Sequence, residues 1–75
     1  MNKLTVDAAG MLCPLPVLKA RKRLTELAVG DVLVLLADDP AAVVDVPHFC
    51  QEAGHTLIEQ DHSGLVARYS IRKEK

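Results

Sequence analysis

Aromatic side chains are nearly missing from this 75-residue chain: one Tyr, one Phe and no Trp. The core must therefore be aliphatic, and little ring surface is left for stacking on nucleic-acid bases. An excess of one charge is missing too. Nine Lys and Arg against ten Asp and Glu give a net charge of -1 with the histidines neutral. Bulk charge thus draws the chain neither to nucleic acid nor to an acidic membrane. Cysteine is scarce, with two residues at 13 and 50, which makes no disulfide framework and fits a reducing compartment. No apolar run approaches the ~18 residues of a membrane span. No charged-then-apolar leader precedes the first apolar alternation, so a cytoplasmic address is expected. Repeats, linkers and low-complexity segments are absent from the sequence. The expectation is a single domain over residues 1-75 with an economical core, because so short a chain buries only about 60% of its unfolded surface.

What the chain does carry is periodicity. Leu4, Val6 and Ala8 alternate with Thr5 and Asp7, which predicts a half-buried strand over about 2–8. From Pro14 to about Ala28, Val17, Ala20, Leu24 and Leu27 recur at helical spacing, and Gly30 is placed for a left-handed helix end. Residues 32–37 are apolar on both faces and predict a central strand. Asp38-Asp39-Pro40 offers a cap and a first-turn proline for a second helix, with Val43, Val46, Cys50 and Ala53 inward and Gly54 ending it. Pro47 should kink that helix, or restart it with Asp45 or Val46 as a second cap. A third strand over about 55–60, a turn at Asp61-His62-Ser63-Gly64 and a fourth strand over about 65–72 complete the order βαβαββ. Right-handed crossovers joining parallel strands and a final antiparallel hairpin then give an α+β two-layer sandwich: a mixed four-stranded sheet with both helices on one face.

The chemistry concentrates at Gly10-Met11-Leu12-Cys13-Pro14-Leu15-Pro16. Proline is tolerated in a first helical turn, whose N–H groups lack intrahelical partners. With Cys13 as N-cap, Pro14 and Pro16 stiffen the helix start, and the thiol faces the positive end of the helix dipole, which favours thiolate. Both prolines lack N–H groups, so only Leu15 and Val17 could donate to the sulfur, and the activation should be modest. Cys50 falls on the inward stripe beside Phe49 and reads as a buried structural thiol. His48, Cys50 and His55 lack the spacing of a closed metal site, so no metal and no cofactor are expected. His55 and His62 read as solvated. Lys19, Arg21, Lys22 and Arg23 follow the cysteine. They are either a solvated helix face or a docking surface for an acidic partner, presented mainly by Lys19, Lys22 and Arg23.

The G-x-x-C-P-x-P run from Gly10 to Pro16 resembles the signature of the TusA/SirA family of small sulfur carriers. The likeness extends through Gly30-Asp31, Asp38-Asp39-Pro40, Asp45-Val46-Pro47, Phe49-Cys50, Gly54-His55, Gly64, Tyr69 and Ile71, nearly the whole chain. It is nearest to the TusA branch. The resemblance implies a βαβαββ fold and a Cys13 that accepts sulfane sulfur as a persulfide from a cysteine desulfurase or similar donor. Gly10, Pro14 and Pro16 then support the motif. The sulfur would pass to a downstream relay protein, for example toward 2-thiouridine in tRNA, with tRNA itself contacted only indirectly. Such a protein is a relaying component of a sulfurtransferase pathway, not a stand-alone catalyst. Two other readings compete with it. An RNA-binding module is opposed by the charge balance and the missing aromatics. A thiol-redox regulator is opposed by the lack of a second cysteine nearby in sequence.

Overall fold

The computed structural model describes residues 2–75. Its elements follow the expected order: β1 (Lys3–Asp7), α1 (Leu15–Leu24), β2 (Val32–Ala37), α2 (Ala42–Ala53), β3 (Thr56–Asp61) and β4 (Ala67–Arg72). The sheet order is β1-β2-β4-β3. β1 pairs parallel with β2, and β4 runs antiparallel to both β2 and β3. The sheet is therefore mixed, and β4 slots between the two strands that flank α2.

Side-chain parity decides which face is covered. Val6, Leu33, Leu35, Ala37, Tyr69 and Ile71 are buried on one face, together with Ala20 and Leu24 of α1 and Val46, Phe49 and Cys50 of α2. Both helices therefore pack on that face. The opposite face carries Thr5, Val34 and Ser70 in one register row and Lys3, Val32 and Arg72 in another. Among the four strands, β2 alone has side chains of both parities largely buried, in line with its unbroken apolar run.

Several boundaries differ from the sequence reading, each for a local reason. α1 stops at Leu24, not near Ala28, because the Thr25 hydroxyl donates to the Lys22 carbonyl and the next amides make shorter i→i−3 bonds. Gly30 thus lies in the turn into β2, where its amide donates to Lys73 O at 2.7 Å. α2 runs unbroken through Pro47, and neither Asp45 nor Val46 restarts it. The carbonyl that Pro47 leaves unbonded belongs to Val43, which is exposed. That exposure removes Val43 from the inward stripe, and Phe49 takes a place there instead. Leu65 lies outside β4 and is almost wholly exposed.

Candidate functional site

β1 and β2 run parallel, so their carboxyl ends lie side by side, and the chain from β1 to α1 loops across that end. Two acids following β2 pin this loop. The Gly10 amide donates to Asp38 Oδ1 at 2.9 Å, and the Cys13 amide donates to Asp39 Oδ2. Asp39 also accepts the Ala41 amide at 3.0 Å, and these donors, Ala41 foremost, hold its carboxyl below the usual range. Gly10 has φ +83°, a left-handed conformation that a side chain would oppose. The motif glycine is therefore a turning point, while Asp38 and Asp39 act as tethers. The pair does not cap α2 as expected: the N-cap there is Ala41, with no side-chain cap bond.

Cys13 is exposed, but it does not cap α1. The N-cap is Pro14, joined to Cys13 by a cis peptide, with Leu15 first in the helix and Pro16 second and buried. The Leu15 amide, one of two donors that could have served the sulfur, donates instead to the Leu12 carbonyl at 2.9 Å. The thiol turns toward α2 and donates to Asp45 Oδ2 at 2.6 Å. This reverses the expected activation. The hydrogen bond to Asp45, followed by desolvation and the negative charges of Asp45 and Asp39, pushes the Cys13 thiol above its ordinary value. A carboxylate accepting the S–H bond outweighs a helix end whose first donors are missing or engaged.

Beyond the sulfur, an open groove of about 290 Å³ runs between the helices, lined by Cys13, Pro14, Val17 and Arg21 on one side and Asp45, His48, Phe49 and Glu52 on the other. The expected docking residues lie along the same helix in different states. Lys19 donates to the Asp7 carbonyl at 2.8 Å, Arg23 pairs with Glu26 at 2.8 Å, and Lys22 is exposed. Arg21, which the helical stripe puts at its border, is the basic residue that reaches the groove of Cys13. Leu12, Leu15 and Leu18, near the thiol in sequence, are all exposed.

Cys50 is buried, and desolvation pushes its thiol up to about 11. Of the two histidines expected in solvent, His62 is exposed and His55 is more engaged than that. His55 is half-buried, accepts the Glu74 amide at 3.1 Å and is held below the usual imidazole range by desolvation. His62 meets Tyr69 edge-on at 5.5 Å between ring centroids. Among the described residues, no three His, Cys, Asp or Glu side chains are grouped to hold a metal ion.

The comparisons with known proteins agree with this architecture. The chain resembles a crystal structure of a SirA-like protein from Desulfitobacterium hafniense, with a TM-score of 0.82 and 28% identity over 96% of this chain and 99% of that one. The family described as sulfurtransferase TusA matches residues 4–73, which span the whole sheet and both helices apart from Lys3. A lone Cys-Pro-x-Pro is a short signal, but a match of that length on the same fold is not, and it carries a sulfur-carrier role in general terms. The chain belongs to the TusA (SirA-like) family.

Proposed function

We propose that this protein accepts sulfane sulfur as a persulfide on Cys13 and relays it to a partner protein. The observation that carries this reading is the position of Cys13, exposed on a tethered loop at the mouth of the inter-helix groove. A donor persulfide transfers its outer sulfur when the acceptor thiolate attacks it and the donor cysteine leaves as thiolate. That step needs an accessible acceptor sulfur and a partner surface to enclose it. The open groove and the exposed Leu12, Leu15 and Leu18 offer a face on which such a partner can dock. A cysteine desulfurase or a similar sulfane donor supplies the sulfur, and a downstream relay protein receives it, for instance toward 2-thiouridine in tRNA. Lys19, Lys22 and Arg23 flank the docking face. The protein works as a component of a transfer chain in the cytoplasm, and no helix of the described residues is long and apolar enough to cross a membrane.

Incubation with a cysteine desulfurase and cysteine tests this. Intact mass should rise by one sulfur atom, and reductant should remove it. Cys13→Ser should abolish the gain, and Cys50→Ser should retain it. Equal loading on Cys50, or loading of the Cys13→Ser protein, would overturn the assignment.

A further inference from the structure

We propose that Asp45 gates Cys13: in the free protein its carboxylate holds the thiol proton and turns away anionic sulfur compounds, so sulfur exchange waits for a partner that sets a cation against it. The inference rests on Cys13 being the carrier sulfur, and it adds the rule by which that sulfur chooses what to react with. Its basis is geometric. Asp45 projects from α2 across the groove and accepts the S–H bond at 2.6 Å, while Asp39 approaches the same residue from the β2 side through the Cys13 amide. The other charged groups of this groove are Arg21 from α1 and His48 and Glu52 from α2, and those two pair with each other at 3.6 Å. Lys19, the next basic residue toward the loop, is engaged with the Asp7 carbonyl. Neither carboxylate accepts a hydrogen bond from a basic side chain among the described residues.

Two consequences follow from charge alone. A thiol hydrogen-bonded to a carboxylate keeps its proton, because ionising it would put two negative charges in contact. An incoming anion, such as a thiosulfonate or a small-molecule persulfide anion, meets the same repulsion before it reaches the sulfur. A protein partner escapes both if its surface places a Lys or Arg at Asp45, which withdraws the acceptor and neutralises the approach. Reactivity is then released by docking.

Thiol–disulfide exchange with small reagents tests the gate without any sulfur donor. Thiolate Sγ attacks one sulfur of an aromatic disulfide and the reagent S–S bond breaks. One half leaves as its thiolate, and Cys13 is oxidised to the mixed disulfide while its proton goes to solvent. The probes are neutral dithiodipyridine and dianionic dithiobisnitrobenzoate, used on the wild type and on Asp45→Asn. The gain in thiolate fraction is partly cancelled by the lower nucleophilicity of a less basic sulfur. The variant should therefore react about threefold faster with the neutral reagent near neutral pH, with its pH midpoint moved down. The dianionic reagent should gain more, about tenfold at low salt. Added salt should speed the wild type with the dianionic reagent and narrow that gap. Unchanged rates, an unchanged pH midpoint and an unchanged ratio between the two reagents would overturn the gate. The separate mass test with a desulfurase shows whether Cys13 is the carrier sulfur at all, so either result can fail alone.

Discussion

Cys50 sits 3% exposed on the inner face of α2, and burial alone pushes its thiol from 9.0 up to about 11. The folded protein thus binds the Cys50 proton more tightly than the unfolded chain does. The stability linked to it is complete below the ordinary thiol value and is lost as pH rises from 9.0 toward about 11. Urea midpoints should accordingly fall between neutral pH and a pH of about 10 more steeply in the wild type than in Cys50→Ala. Parallel curves would show that this thiol does not titrate on unfolding. Cys13 is also raised, but foremost by its hydrogen bond to Asp45 and only then by desolvation, so one substitution on α2 can relieve it. The two cysteines were separable in the sequence by periodicity, because position 50 falls on an inward stripe and position 13 precedes a helix. The sign of the Cys13 shift was not separable. It depends on a contact with a residue 32 positions away, which no local spacing encodes.

Among the elements, the strands and the end of α2 were the most legible, because alternation and glycine placement act locally. Gly54 ends α2 at φ +80° and returns its amide to Cys50 O at 3.0 Å, the left-handed finish expected there. A Cβ at this position would also meet the Lys75 side chain, whose flexible end can move aside. Gly54→Ala should therefore cost about 1–2 kcal/mol for the backbone conformation, read as a lower urea midpoint with the slope unchanged. Gly64, with ordinary contacts and no left-handed φ, is the control, and Gly64→Ala should stay within roughly 0.5 kcal/mol. The start of α1 was less legible. Two prolines marked a helix beginning, but the N-cap fell one residue late, on Pro14, because the Cys13 amide goes to Asp39 and the sulfur to Asp45. A dipole argument built on the motif alone omits those acids, which arrive from β2 and α2.

At the scale of the molecule, the element order gave the mixed sheet, whereas the adjacency of β2 and β4 is a tertiary fact. β3 touches the sheet only through β4, and β4 supplies Tyr69 and Ile71, both fully buried in the core. Removing β4 should thus undo more than one edge. A chain ending at residue 66 should show no cooperative unfolding transition, and its amides should exchange at unprotected rates, those of β1 and β2 included. Protection persisting in β1 and β2 would show that the first βαβ unit stands alone.

The central seat of β4 also sets the order of events when the polypeptide is made. The ribosome releases the reactive loop early and the strand that seals the sheet late. Until that strand emerges, the nascent chain has a gap where β2 and β3 should be bridged. The groove between the helices is therefore finished only once β4 has emerged, and a product stalled before it would offer two open strand edges to quality control instead of a docking face.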